Sequence, residues 1–114
     1  MNVTVRSRHL QLSDALRAYA DRRLRFSVGP FAPLIDGIDV CVADVNGPRG
    51  GIDKVCAIAV VLTPLERVFA RAIDSNAYSA VDTAASRIRT VLLRRLRRRR
   101  ESRRGRWQAR AGRL

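Results

Sequence analysis

The chain has 114 residues, with 23 Lys and Arg against 10 Asp and Glu, and a formal net charge of +13. That length fits one domain, and 46% hydrophobic residues with only 7 glycines and 4 prolines exclude collagen-like structure and wholesale disorder. No stretch approaches the roughly 18 to 20 apolar residues of a membrane helix, and residues 2–6 alternate in polarity, unlike a signal peptide. We therefore expect one small folded domain in the cytoplasm that does not bind membranes.

The positive charge is concentrated towards the C-terminus. Residues 1–86 hold ten cations against nine acids, whereas residues 87–114 hold thirteen arginines against the single acid Glu101. Of the 23 cations 22 are arginine, whose planar guanidinium suits bidentate contacts with phosphate and stacking on bases. A charge run often serves only to solvate a surface, but this excess is larger than solubility requires. The expected partner is an anionic polymer, and nucleic acid in particular.

The N-terminal part predicts a strand followed by a helix. Residues 1–8 alternate apolar and polar side chains, with Val3 on the apolar face, which is typical of a short strand. Ser13 is a good helix N-cap, and the apolar spacing after it predicts a helix over residues 14–25. The Gly-Pro pair at residues 29–30 lies beyond the end of this helix.

Three further strands are expected in the middle of the chain. Residues 38–45 and 54–62 are rich in β-branched side chains, and residues 68–73 alternate in the manner of a half-buried strand. The segment 46–51 between the first two contains three glycines and is interpreted as a hairpin loop. The three strands therefore form a meander.

A second, longer helix is expected to start at residue 75 or 76. Its apolar residues share one arc as far as Leu96, after which arginines occupy the same face. The last turns of this helix must therefore project past the core. The Arg/Gly/Ser-rich segment that follows is expected to be disordered until it meets a partner, which divides the chain into a domain at residues 1–100 and a basic tail at residues 101–114.

The order of these elements, β-α-β-β-β-α, indicates the fold class. Two amphipathic helices must each bury one side, and a four-stranded, largely antiparallel sheet offers them one face. The sequence predicts an α+β two-layer sandwich with both helices on one face of the sheet. Because the sheet uses the apolar side of the basic helix, binding to a membrane surface is disfavoured.

The two cysteines predict no metal site. Cys41 and Cys56 are too few and too widely spaced for zinc, and we expect them to be small buried hydrophobic residues. If the hairpin loop is symmetric, the two thiols face each other across the hairpin. Whether they pair is left open by the sequence.

No arrangement typical of a catalytic site is found in the sequence. His9 is the only histidine, so a Cys-His or Ser-His pair could only be built around it. The carboxylates are scattered, which speaks against paired-carboxylate hydrolysis and against metal binding. The glycine-rich loop lacks the Gly-Lys-Ser/Thr ending of a nucleotide P-loop, although Arg49 and Lys54 could add a minor RNA contact. We expect a non-enzymatic protein without a cofactor, metal or small-molecule substrate.

Three segments in this order resemble the ribosome hibernation promoting factor family, whose members are also called ribosome-associated inhibitors or ribosomal subunit interface proteins. They are Val-Thr-Val at residues 3–5, Leu-Ser-Asp-Ala-Leu-Arg-Ala-Tyr at residues 12–19, and Ala-Tyr-Ser-Ala-Val-Asp at residues 77–82. The resemblance covers about residues 1 to 98 and corresponds to a short form of the family. Within the third segment, Tyr78 and Asp82 are interpreted as mainly structural.

The resemblance implies a protein that binds the rRNA of the small ribosomal subunit. Its expected position is the channel between head and body, where mRNA and tRNA would lie, so that it blocks translation in starvation or stationary phase. A second, ribosome-dimerising factor is a further candidate partner. The sequence leaves open whether this chain promotes or prevents ribosome dimers.

The resemblance also indicates which arginines contact RNA. Arg17, Arg23 and Arg87 match basic positions of the family, whereas Phe26 stands where many members have lysine and Thr90 where many have arginine. Neighbouring arginines are expected to compensate. The predicted RNA-binding set is Arg17, Arg22, Arg23, Arg25, Arg87, Arg89, Arg94, Arg95, Arg97 and Arg98.

A second hypothesis comes from the charge alone. A polycationic C-terminal segment would also suit a general RNA-binding or RNA-annealing protein without a defined ribosomal site. Saturable binding to small subunits distinguishes the two hypotheses.

Overall fold

The computed structural model describes residues 1–46 and 52–111, with side chains through Gly105. The elements in chain order are β1 (Asn2–Arg8), α1 (Asp14–Val28), a 3₁₀ turn (Gly29–Leu34), β2 (Ile35–Asp44), β3 (Lys54–Leu62), β4 (Glu66–Asp74) and α2 (Ala77–Ala111). The predicted β-α-β-β-β-α order and the two-layer α+β fold are confirmed.

The four strands form one mixed sheet in the order β1-β2-β3-β4. β2, β3 and β4 pair antiparallel as the predicted meander, but β1 pairs parallel with β2, with Val5 opposite Val40. A parallel neighbour requires a crossover, and α1 supplies it. β4 is an edge strand, and the crossover helix and α2 cover the same face of the sheet.

The core lies between the two helices and one face of the sheet. Alternate residues of the strands point into it, since successive side chains of a strand point to opposite faces. Its largest fully buried side chains are Leu24, Val28, Ile38, Val40, Val42, Ile58, Val60, Leu62, Val81, Ile88 and Leu92. Within residues 1–46 and 52–111 no helix lies on the opposite face of the sheet, and Phe69 and Ile73 of β4 are 62% and 50% exposed there.

The first helix begins where the sequence predicts and ends later. The Ser13 hydroxyl accepts a hydrogen bond from the amide of Leu16 at 3.1 Å, as expected for an N-cap. The helix continues beyond the predicted end at Arg25 because Val28 is fully buried and extends the apolar face by one turn. Gly29 then starts the 3₁₀ turn.

The second helix is longer than the core it covers. Asn76 caps its first turn by accepting from the amides of Tyr78 and Ser79 at 2.8 and 3.3 Å. Among its residues up to Gly105, whose side chains are described, the last fully buried one is Leu92, yet the helix continues to Ala111 and gives the molecule a longest dimension of 67 Å. In the part of the chain that the structure describes, no helix combines the length and the apolar character that a membrane span requires.

The helical conformation at residues 101–111 differs from the expected disorder. Arginine, alanine and glutamine are good helix formers, and the helix needs no new nucleus because it grows from the packed part of α2. Residues 112–114 lie outside the described part. The division into a domain at residues 1–100 and a tail at residues 101–114 stays a prediction.

The pairing of β2 and β3 is not the symmetric one in which the two cysteines would face each other, and of the two cysteines expected to be buried only Cys56 is. Cys41 is opposite Ala57, and Cys56 is opposite Val42, so the register is offset by one residue from the symmetric pairing. A shift of one residue places a side chain on the other face of a sheet. Cys56 is buried under the helices and Cys41 lies half-buried on the uncovered face, and both are free thiols.

We expect a thiol reagent at about pH 8 to modify Cys41 and to spare Cys56 in the folded protein. Burial raises the pKa of the Cys56 thiol to about 12, with a smaller contribution from Cys41, so almost no thiolate forms. The thiols labelled per chain are counted by mass spectrometry, with a Cys41→Ser variant as control. One thiol should react in the native chain and both in denaturant, whereas rapid native labelling of Cys41→Ser would contradict the burial.

Candidate nucleic-acid interface

The predicted arginines of α1 differ in whether another group of the protein binds their guanidinium. Arg22 is exposed, and Arg25 forms an ion pair with Asp21 one turn earlier at 2.9 Å. Exposed pairs of this kind contribute little to stability, so Arg25 stays available to phosphate. Arg17 donates from Nη1 to the main-chain oxygen of Val5 at 3.0 Å and thereby ties α1 to β1.

Arg23, the remaining predicted arginine of α1, belongs to a hydrogen-bonded cluster between the two helices. Its Nε donates to Asp82 Oδ1 at 3.2 Å, and the same oxygen accepts from the Tyr19 hydroxyl at 2.5 Å. The hydrogen bond to Asp82 raises the pKa of Tyr19, because a phenolate could not donate and would face the carboxylate charge. Tyr78 packs edge-on against Tyr19 with ring centroids 5.1 Å apart. The cluster fits a structural role for Tyr78 and Asp82 and fixes the orientation of Arg23.

The exposed predicted arginines of α2 are Arg87, Arg89, Arg94, Arg97 and Arg98. Among the described residues, none of these five forms an ion pair with a carboxylate. Arg87, Arg94 and Arg98 are seven and four residues apart, a spacing that aligns them on one side of a helix. Arg87 also donates from Nη1 to the main-chain oxygen of Arg71 at 2.8 Å, which places this arginine stripe beside β4.

Arg95 is held differently from the other predicted arginines of α2. Its Nη1 donates to Glu66 Oε2 at 2.9 Å, and Arg99 reaches the other oxygen of the same carboxylate at 3.0 Å. A second nitrogen of Arg99 donates to the main-chain oxygen of Thr63 at 2.9 Å. We call this arrangement the Glu66 clamp. It ties α2 to the β3–β4 turn beyond the last buried residue of the helix.

Lys54 and His9 add little to the cationic surface that the arginines of the two helices form. Lys54 Nζ donates to Asp53 at 2.8 Å and to Asp44 at 3.3 Å, and the hydrogen bond to Asp53 raises the pKa of Lys54. Arg49 lies outside the described residues. His9 is exposed at the end of β1 with φ of 56°, the left-handed region that non-glycine residues seldom adopt.

The structure brings two further residues to the arginine stripe that the predicted set lacks. Arg71 and Phe69 lie on the exposed side of β4, beside Arg87. The alternation of residues 68–73 already placed both on one side of a strand, but it could not show that this strand is the sheet edge next to α2.

The arrangement is suited to binding polyanions. Guanidinium groups on both helices present several N–H donors each, and a planar fork matches the oxygens of a phosphate. Within residues 1–46 and 52–111, no cluster of His, Cys, Asp and Glu is arranged to hold a metal ion. Fold and surface together define a small cationic α+β domain with two arginine-bearing helices on one sheet face.

The chain belongs to the sigma 54 modulation protein / S30EA ribosomal protein family, whose profile matches residues 3–101. This membership confirms the resemblance stated from the sequence. No curated protein matches the sequence.

Two solved structures have a similar fold. A ribosomal subunit interface protein from Coxiella burnetii aligns with a TM-score of 0.71 at 20% identity, covering 82% of this chain and 96% of that chain. The N-terminal domain of Protein Y from Thermus thermophilus aligns with a TM-score of 0.64 at 24% identity, covering 82% of this chain and 98% of that chain. At these identities the similarity shows a shared fold.

Proposed function

We propose that this protein is a non-enzymatic hibernation factor that occupies the mRNA and tRNA channel of the small ribosomal subunit and inhibits translation in starvation or stationary phase. The observation that carries the proposal is the family match over residues 3–101, which spans the folded body and the arginines of both helices. One protein of similar fold is named for the ribosomal subunit interface. The proposed site places the protein in the cytoplasm.

The exposed arginines would recognise folded rRNA through its phosphates and its shape. Contacts to phosphate fix position and orientation without reading sequence, which suits a protein that binds one site on a structured RNA. Arg22 on α1 and the stripe of Arg87, Arg94 and Arg98 on α2 offer such contacts from both helices. Because the helices are packed on one sheet, their spacing is set before binding and little ordering is needed.

Two carboxylates orient arginines of this surface and leave them N–H donors for phosphate. Asp82 engages Nε of Arg23, and Glu66 engages Nη1 of Arg95. A guanidinium has five N–H donors, so each arginine keeps donors for phosphate while its rotamer is fixed. In the proposed complex Asp82 and Glu66 are positioning residues for Arg23 and Arg95.

Inhibition would follow from occupancy and needs no chemical step. A folded body held in the channel excludes mRNA and tRNA sterically, so one copy is required for each subunit inhibited. An enzyme would act on many subunits per copy. The proposal therefore requires inhibition to rise in proportion to the fraction of subunits occupied.

The test is co-sedimentation with purified small subunits in sucrose gradients, with and without tRNA. We expect saturation near one copy per subunit, and competition by tRNA. The variant R22E/R94E should bind at least about tenfold more weakly, because it reverses one charge on each helix. The variant R8E/R67E changes the net charge equally on exposed strand arginines and should bind like the unmodified chain.

The projecting end of α2 favours the alternative of general RNA binding. Among the residues up to Gly105, its exposed arginines beyond Leu92 are Arg94, Arg97, Arg98, Arg100, Arg103 and Arg104. A cationic helix of this kind would bind any RNA in proportion to the phosphates it neutralises. In the same gradients it would give binding that does not saturate and is insensitive to tRNA. That result would exclude a defined ribosomal site.

A further inference from the structure

The sheet face opposite the helices contains a shallow depression of about 380 Å³, which we call the open-face trough. Its floor is made by small side chains, with Ala57 and Ala59 on β3 and Cys41 on β2. Arg6 on β1 lies at one end and Arg71 on β4 at the other. Phe69 forms part of the wall beside Ala59, its partner across the sheet, and is 62% exposed.

A second depression, of about 400 Å³, lies between β4 and α2, and we call it the edge groove. Phe69 and Arg71 line both depressions, so the two meet at the edge strand. On the α2 side, Arg87 and Arg94 line the edge groove, with Thr90 between them. None of its lining residues is acidic. The hydrogen bond from Arg87 to the Arg71 carbonyl fixes one of the three guanidinium groups in place.

We infer that the open-face trough and the edge groove form one binding site for an unpaired RNA nucleotide, with the base stacked on Phe69 and its phosphate held by Arg71, Arg87 and Arg94. The inference rests on the proposed function in one respect, because Arg87 and Arg94 also belong to the proposed rRNA surface. It adds a single-stranded segment to the ligand, and an aromatic contact to the site.

The charges of the two depressions decide which part of the nucleotide each one takes. Asp39 lines the open-face trough, where its carboxylate would repel a phosphate but can accept hydrogen bonds from the amino group of a base. The edge groove has three arginines and no carboxylate, and therefore suits the phosphate. An exposed aromatic ring on a sheet, next to arginines, is a general means of stacking unpaired bases.

The edge strand is less suited to a peptide. An added peptide strand would need the free main-chain groups of β4. Arg87 already occupies the Arg71 carbonyl and lies against this strand. The cluster of arginines also favours a ligand with repeated negative charge, which RNA supplies at every nucleotide.

The test compares an unstructured RNA of about ten nucleotides with a duplex of the same length, by fluorescence anisotropy with the full chain at about 100 mM salt. Stacking of one base predicts that Phe69→Leu weakens single-strand binding about tenfold and leaves duplex binding within about twofold. Leucine keeps the apolar character and removes the ring. Phe69→Trp should restore single-strand binding.

Phe26→Leu is the matched control, because Phe26 is 76% exposed on α1 and away from both depressions. It should leave binding to both RNAs unchanged. Equal single-strand affinity of Phe69→Leu and the unmodified chain would overturn the inference, as would an equal loss with single strand and duplex. A monomer–dimer equilibrium abolished by Phe69→Leu, without an effect on RNA, would instead assign this face to a second copy.

Co-sedimentation of the same variants separates this inference from the proposed function. If the unmodified chain saturates small subunits but Phe69→Leu binds single-stranded RNA normally, the inference fails and the proposed function stands. If the unmodified chain does not saturate subunits but the selective effect of Phe69→Leu appears, the proposed function fails and the nucleotide site stands.

Discussion

The affinity of the protein for small ribosomal subunits should fall by about 10³- to 10⁵-fold when the salt concentration is raised from about 50 to about 200 mM. This magnitude corresponds to roughly six to ten neutralised phosphates, each of which releases condensed counterions on binding. The structure supplies that number of groups. Six predicted arginines are exposed without a carboxylate partner in the described part of the chain, namely Arg22, Arg87, Arg89, Arg94, Arg97 and Arg98. The other four have partners but keep N–H donors.

The measurement is a binding isotherm at several salt concentrations, plotted as the logarithm of the association constant against the logarithm of salt. Replacing two exposed arginines by the neutral variants R22Q and R94Q should lower the slope by about 1.4 to 1.8. Sucrose at matched osmolality is the control, because it changes water activity but not counterion release. A flat salt response would contradict recognition through arginine and phosphate.

The sequence predicts the elements of this fold well where the signals are local. The β-branched run in residues 54–62 and the cap at Ser13 concern neighbouring residues, and the structure has both as expected. Pairing across the sheet cannot be predicted from such local signals. The register of β2 and β3 depends on the geometry of the intervening loop, and one residue of offset placed Cys41 and Cys56 on opposite faces.

The candidate site shows the same limit. Helical spacing was enough to place Arg87, Arg94 and Arg98 on one side of α2. The partners of Arg23 and Arg95 could not be predicted, because Asp82 and Glu66 are 59 and 29 residues away along the chain. Such pairs arise only when helices and turns are brought together, and they decide which arginines are oriented and which are free.

Removing residues 101–114 should weaken binding to small subunits by about 10²-fold at about 50 mM salt and leave the domain folded. The deletion removes five arginines and Glu101, so several phosphate contacts are lost. Among the residues whose side chains the structure describes, the last buried one in α2 is Leu92, and the Glu66 clamp lies outside the deleted segment. We expect the free energy of unfolding to change by no more than about 0.5 kcal/mol.

The comparison is made by thermal unfolding and by co-sedimentation. A full-length variant with the five arginines of residues 101–114 replaced by glutamine is the matched control, since it removes the same cations and keeps the chain length. Both variants should lose affinity to a similar degree. Loss of cooperative unfolding in the truncated chain would show instead that residues 101–114 stabilise the core. Saturation near one copy per subunit should survive in both variants, because every arginine of the predicted RNA-binding set precedes residue 101 and residues 101–114 contribute only strength.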